Sequence, residues 1–218
     1  MALCVAVKPY MALLYMYPFF ARKWKMLAFA IGSLLALTTL SIFTFGWNTF
    51  VSFLIESPTS KLPDWVYTEM VNQSLLATTL SSTNFAGSPL THPLYLIIAL
   101  ILTSITIWIT LRQRANKDWK ILAILFLALI VYPAALAHYG VFLIVPMVIL
   151  LRISNGQFGT RLFALGTITV AYLLSSSNDS GDYSFYANLF MWMVSIASAI
   201  KYSAQYIFHR NVDQLPAS

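Results

Sequence analysis

Long apolar runs separated by short basic clusters make up most of this sequence. The runs cover approximately residues 1–20, 26–45, 94–111, 121–151, 162–174 and 185–200. A helix needs about 20 apolar residues to cross a hydrocarbon core of about 30 Å, and fewer where the bilayer thins. The pattern therefore predicts an all-α fold, a polytopic transmembrane helical bundle with about six or seven membrane segments.

The composition narrows the class of protein further. Of the 218 residues, 59% are hydrophobic and 9% are charged, whereas soluble domains carry roughly 25% charged residues. The net charge of +6 does not indicate a nucleic-acid partner, because the basic residues lie between apolar runs. Cys4 is the one cysteine, so an intrachain disulfide is excluded, and no zinc or iron–sulfur ligand spacing is present. We expect no metal and no cofactor.

The basic clusters predict the orientation of the chain. Eleven of the 13 Lys and Arg residues fall at 22–25, 112–120, 152–161 and 201–210. Cytoplasmic loops carry an excess of Lys and Arg, so these four clusters are predicted to be cytoplasmic. The more polar segment 46–93 is then a long extracytoplasmic loop with short interfacial helices. The expected location is the inner or plasma membrane, crossed several times.

The apolar stretch 121–151 has predicted cytoplasmic charge at both ends. It must therefore enter the membrane from the cytoplasmic side and return to that side. Each arm then has about 12 to 16 residues, roughly 18–24 Å of helix, which is too short for a full crossing. We therefore predict a short broken hairpin with its tip at Tyr132–Gly140. The alternative is one tilted helix of about 31 residues, against which Pro133 and Gly140 argue.

Two titratable residues within apolar runs are candidates for chemistry. His138 lies at the predicted hairpin tip, and a titratable group at membrane depth is costly unless it is paired or functional. The alternative for His138 is a structural histidine bonded to a carbonyl at a helix break. Lys8 precedes Pro9, and a buried ammonium there suits a phosphate. Its alternative is a side chain that reaches the membrane interface from a helix end.

A third candidate, Asn72–Gln73–Ser74, lies in the predicted outer loop just before an apolar pair. Asn and Ser at this position favour a cap on a short interfacial helix. Adjacent amides are also suited to sugar hydroxyls, so both interpretations stay open.

Four motifs in this order resemble a known enzyme family. They are Lys8-Pro9 followed by Arg22-Lys23-Trp24-Lys25; Phe45-Gly46 at a helix exit; Asn72-Gln73-Ser74 in the outer loop; and Pro133 with His138-Tyr139 before Pro146. Together they resemble the C-terminal portion of the polyprenol-phosphate-mannose-dependent mannosyltransferases, glycosyltransferase family 87, which are multi-pass enzymes of the C-class fold.

The resemblance implies transfer of a mannosyl, or related hexosyl or pentosyl, residue from a polyprenyl-phosphate-sugar donor. The acceptor would be a glycolipid or glycan on the extracytoplasmic face. It implies a catalytic role for His138 and substrate binding by Lys8, by Asn72, Gln73 and Ser74, and by Tyr139. The implied partners are the donor, the acceptor and the bilayer.

C-class enzymes are similar in placing a catalytic carboxylate in the first extracytoplasmic loop, and no acidic residue precedes Lys8. We therefore expect residues 1–218 to form a single membrane domain, the C-terminal part of a larger enzyme or of an assembly with a partner chain. Such a chain would be inactive alone. The rival functions are a transporter or flippase and a non-catalytic membrane subunit. A transporter is disfavoured because the apolar runs show no inverted repeat.

Overall fold

Helices form every regular element in the part of the chain that the structure describes. The computed structural model describes residues 9–55, 72–112, 117–133, 135, 144–153, 165–166, 169–170, 173 and 182–212. The α-helices are α1 (Met16–Phe20), α2 (Trp24–Phe45), α3 (Trp47–Ile55), α4 (Leu75–Ser81), α5 (Pro93–Leu111), α6 (Lys117–Val131), α7 (Ile144–Ile153) and α8 (Asp182–Val212). Two 3-10 helices cover Pro9–Tyr15 and Pro89–Thr91. The predicted all-α class is confirmed.

Three of these helices are long and apolar enough to cross a membrane: Trp24–Phe45, Pro93–Leu111 and, within α8, Tyr183–Lys201. At 1.5 Å per residue they extend about 28–33 Å, close to the thickness of the hydrocarbon core. Helix α2 is the least covered by other parts of the protein, since Ala30 is its one buried residue. Its large side chains, such as Phe29 and Phe43, lie on the outside. The chain is an all-α membrane protein.

Helix α6 forms the centre of the bundle. Every residue from Leu122 to Ile130 is buried, because α8, α5 and the N-terminal 3-10 helix all pack around it. A helix that is apolar on all sides lies either in a protein core or in lipid, and in α6 the neighbouring helices cover it. Its 15 residues extend about 22 Å, which is less than a full crossing.

The apolar stretch 121–151 is not one continuous helix. Helix α6 ends at Val131, and Tyr132 and Pro133 are not helical. The Arg152 Nε atom lies 4.0 Å from the Asp118 Oδ2 atom, so the last turn of α7 lies beside the first turn of α6. The two helices therefore run antiparallel, as a hairpin requires. The alternative of a single tilted helix is wrong. Of the predicted tip, Tyr132–Gly140, residues 134 and 136–140 lie outside the described part of the chain.

Basic residues from three parts of the sequence meet at one end of the bundle. The Lys120 ammonium donates hydrogen bonds to the Thr110 carbonyl (3.1 Å) and the Arg112 carbonyl, at the end of α5. Burial lowers the pKa of Lys120, and the nearby charge of Lys23 lowers it further. Arg152 lies beside Asp118 in the first turn of α6, at the same end of the bundle. We call this region, with Lys23, Arg112, Lys120 and Arg152, the basic end.

We expect Lys120→Met to lower the free energy of unfolding by about 1–3 kcal/mol, because two carbonyls at the end of α5 lose their donor. Methionine has a similar length but cannot donate a hydrogen bond. Lys117 lies one turn earlier and is exposed, so Lys117→Met is the matched control and should change stability by less than about 0.5 kcal/mol. Denaturant titration of both variants in one detergent measures the difference, and equal effects would contradict this role of Lys120.

Candidate functional site

The Asn72–Gln73–Ser74 motif is buried at the start of α4. The three residues are 2%, 0% and 0% exposed. The Ser74 hydroxyl accepts a hydrogen bond from the Ala77 amide (3.2 Å), and the Asn72 side-chain oxygen accepts one from the Ser74 amide (3.0 Å). These bonds satisfy amides at the start of a helix that have no partner within it. The predicted helix cap is confirmed.

The same three residues also bind the chain just after α6. The Asn72 Nδ2 amide and the Ser74 hydroxyl both donate to the Pro133 carbonyl, each at 2.9 Å. The Gln73 backbone amide donates to the Ala135 carbonyl at 2.8 Å. We call these three bonds the clasp. The clasp joins the predicted outer loop to the break after α6, across about 60 residues of sequence.

Tyr95, on helix α5, binds the end of α6 next to the break. Its hydroxyl donates to the Val131 carbonyl at 2.9 Å, and Val131 is the last residue of α6. The last carbonyls of a helix have no intrahelical donor, so Tyr95 satisfies one of them from α5. The backbone from Val131 to Ala135 is thus held at three carbonyls by residues that lie outside α6.

His92 is a buried histidine that the sequence patterns did not single out. Its Nδ1 atom accepts from the Tyr95 amide (3.5 Å), and its Nε2 atom lies 2.7 Å from the Thr83 hydroxyl. The Thr83 hydroxyl in turn donates to the Thr79 carbonyl (2.8 Å). A neutral imidazole with its proton on Nε2 satisfies this chain of bonds. His92 therefore caps α5 and ties it to α4. The signal in the sequence is its place before Pro93, since proline favours the first position of a helix.

The predicted site residues divide into two groups. Asn72, Gln73 and Ser74 lie together at the clasp. Lys8, His138 and Tyr139 lie outside the described residues. The clasp nevertheless binds Ala135, which precedes His138 by three residues. A chain of three residues extends at most about 11 Å, so the clasp anchors the backbone from which His138 follows.

Polar side chains also lie in the described interior of the bundle away from the clasp. The Trp192 indole on α8 donates to the Thr106 hydroxyl on α5 at 3.0 Å. The Asn188 Nδ2 atom is buried and has no hydrogen-bond partner. Among the described residues, no group of three or more His, Cys, Asp or Glu side chains could hold a metal ion. The clasp joins two separate segments through three hydrogen bonds.

The distance between the clasp and the basic end follows from α6. Lys117 and Val131 are the first and last residues of this helix, so the two sites are separated by about 21 Å along its axis. The clasp and the basic end therefore lie at opposite ends of α6.

Comparison with known protein families gives a match. Residues 1–137 match glycosyltransferase family 87. The matched range includes the clasp and Ala135, and it ends one residue before His138. No curated protein and no solved structure matches the sequence.

Proposed function

Because the chain belongs to glycosyltransferase family 87, we propose that it transfers a mannosyl or related residue from a polyprenyl-phosphate-sugar donor. The proposed acceptor is a glycolipid or glycan on the extracytoplasmic side of the inner or plasma membrane. The family match over 1–137 supports glycosyl transfer, and the three helices that are long and apolar enough to cross a membrane support a lipid-borne donor. The donor would present its sugar phosphate to the protein from within the membrane.

The position of the clasp supports an extracytoplasmic active site. The basic end marks the cytoplasmic side by the positive-inside rule, and the clasp lies about 21 Å away along α6. In this proposed orientation the clasp lies in the outer half of the bilayer, below the outer membrane surface. Irregular backbone at that depth is tolerated only against protein or a water-filled cavity. We propose that this break borders the cavity in which sugar transfer takes place.

The transfer reaction sets the demands on the side chains. The bond between the anomeric carbon and the phosphate oxygen breaks, and the acceptor hydroxyl oxygen forms the new bond to that carbon. The proton of the hydroxyl must pass to a base, and the leaving phosphate must be stabilised. We propose His138 for proton transfer or for contact with the donor phosphate, Lys8 for phosphate charge and Tyr139 for substrate binding.

The clasp residues have a second proposed role. Asn72 and Ser74 use side-chain groups on the Pro133 carbonyl, so their effect on the sugar would be largely indirect. They fix the backbone that leads to His138 and Tyr139. Gln73 lies between them and is fully buried. We propose that it contributes to substrate binding.

We further propose that residues 1–218 alone do not catalyse transfer. Glu56 is the first acidic residue in the sequence, whereas the C-class enzymes place a carboxylate base near their first helix. Asp118, the one acidic residue of the described basic end, lies beside Arg152, on the side away from the clasp. The base would then come from a preceding segment or a partner chain.

A comparison of membranes from the source cell tests this function. Membranes from cells that lack the gene should lose transfer of radiolabelled mannose from polyprenyl-phosphate-mannose to a lipid-extractable or glycan product, and a plasmid copy should restore it. GDP-mannose, supplied after the donor-lipid synthase is inhibited, should give no product with either membrane. The purified chain should give none with either donor.

Three results would contradict parts of this proposal. Unchanged transfer from every polyprenyl-phosphate-sugar in membranes without the gene would refute the activity. Product formed directly from GDP-mannose would refute the donor class. Transfer by purified residues 1–218 would refute the need for a further carboxylate and leave the donor assignment intact.

A further inference from the structure

We propose that the basic end binds the headgroup of an anionic phospholipid, between the loop that joins α1 to α2 and the end of α5. The loop contributes Arg22 and Lys23, and the end of α5 contributes Arg112. This binding is separate from the proposed sugar transfer, since the clasp lies about 21 Å away along α6.

Arg22 has a backbone conformation that arginine rarely adopts. Its φ angle is +53°, a left-handed value that is costly for residues with a Cβ atom. The Arg22 amide donates to the Phe19 carbonyl (3.1 Å) and the Lys23 amide donates to the Pro18 carbonyl (2.8 Å). This pair of bonds ends α1 as a Schellman motif, in which glycine usually takes the left-handed position. The chain has an exposed cation where glycine would relieve strain.

The neighbouring cations contact aromatic rings and have no carboxylate partner among the described residues. The Lys23 ammonium donates to the Tyr17 hydroxyl (2.9 Å) and lies 5.0 Å from the centre of that ring. The Arg112 guanidinium lies 4.0 Å from the centre of the Trp108 ring. Rings fix the position of a cation without neutralising it. Lys23 and Arg112 therefore keep their charge available for an anion.

The two halves of the proposed site are joined by Lys120. Its ammonium binds the Arg112 carbonyl, and α1, which leads into the loop with Lys23, packs against α5. The charge of Lys23 is near enough to lower the pKa of Lys120, so the two cations repel. At the basic end, Asp118 is the one acidic residue among those described, and it lies beside Arg152. An anion placed between Lys23 and Arg112 would relieve this repulsion.

Exposed aromatic groups around the cations favour a lipid over a soluble phosphate. Phe19, Trp24 and Trp108 are 49%, 57% and 46% exposed, and Phe19 packs edge-on against Trp24 (5.8 Å between ring centres). Such rings lie at the level of the headgroups in membrane proteins. Acyl chains can cover these apolar faces, whereas a free phosphate ion cannot. Basic residues beside spanning helices are also where anionic headgroups bind.

The test is lipid binding by the full chain, titrated in detergent with phosphatidylglycerol or phosphatidylcholine and followed by native mass spectrometry. We expect phosphatidylglycerol to bind at least tenfold more tightly. Lys23→Gln combined with Arg112→Gln should weaken its binding by about 25-fold, since each cation near the surface contributes about fivefold. Raising the salt concentration should weaken binding by the wild-type chain.

Three variants separate a site from a general effect of charge. Lys201→Gln removes one exposed cation from the end of the last span and should leave affinity within twofold. Lys23→Arg with Arg112→Lys keeps both charges and should stay within about threefold. Arg22→Gly accommodates the left-handed φ, so it should fold well and still lose about fivefold in affinity.

Equal affinity for the two lipids would overturn the proposal, and so would wild-type affinity in both Arg22→Gly and the double glutamine variant. Either result would mean that the basic end serves only to orient the chain. Inorganic phosphate that displaces phosphatidylglycerol at millimolar concentration would show that the ligand is a free anion, which would also overturn the assignment to a lipid.

Discussion

His138→Ala is expected to lower the turnover of the complete transferase by about 10²–10⁴-fold, the range for loss of a group that transfers a proton. His138 lies within an apolar run, where a histidine that is neither paired nor functional is costly, and imidazole is the side chain best suited to proton transfer near neutral pH. It follows the clasp-bound Ala135 by three residues. The measurement is mannosyl transfer by membranes that carry the variant, normalised to the amount of folded protein.

His92→Ala is the matched control for His138→Ala. His92 is a buried histidine whose ring nitrogens contact the Thr83 hydroxyl, two residues after α4, and the Tyr95 amide of α5. Its loss should lower the thermal stability and the folded yield, while activity per folded molecule stays within about threefold. If His138→Ala shows this second pattern, with lost yield and preserved turnover, His138 is a structural residue and its catalytic assignment fails.

The helices and the break after α6 could be predicted because their causes are local. The apolar run before Arg112 is long enough to form α5. Proline cannot continue a helix, because it lacks an amide hydrogen and its ring clashes with the preceding turn, so α6 ends close to Pro133. The cap at Ser74 was predictable for the same reason, since a serine hydroxyl bonds to an amide only three residues ahead.

The partners of the polar side chains could not be predicted from local pattern. Asn72 favours a cap by its type, but nothing near it in the sequence shows that its amide reaches the Pro133 carbonyl. Tyr95 and Val131 are likewise separated by 36 residues. Lys120 belongs to a predicted cytoplasmic cluster, yet it is only 4% exposed. It is buried because α5 ends beside α6, and this contact depends on how the helices pack.

We expect the effects of removing the two side-chain donors of the clasp on the free energy of unfolding to be non-additive. The Pro133 carbonyl accepts one bond from Asn72 and one from Ser74, so either donor can still satisfy it when the other is removed. Asn72→Ala and Ser74→Ala should each cost about 1–2 kcal/mol, part of which is the lost cap. The double variant leaves a carbonyl at membrane depth without either donor. It should therefore cost more than the sum of the single variants, by about 0.5–3 kcal/mol.

Ser81→Ala is the control within the same helix, because the Ser81 hydroxyl is exposed and bonds only to the Thr78 carbonyl (2.9 Å). It should change stability by less than about 0.5 kcal/mol, and Ser74→Thr, which keeps the hydroxyl, should lose less than Ser74→Ala. If the clasp positions the backbone before His138, the double variant should also lose turnover per folded molecule at saturating donor, with little change in KM. Additive stability losses would mean that the two donors act independently. Unchanged turnover in the folded double variant would mean that the clasp stabilises the bundle without positioning the segment that carries His138.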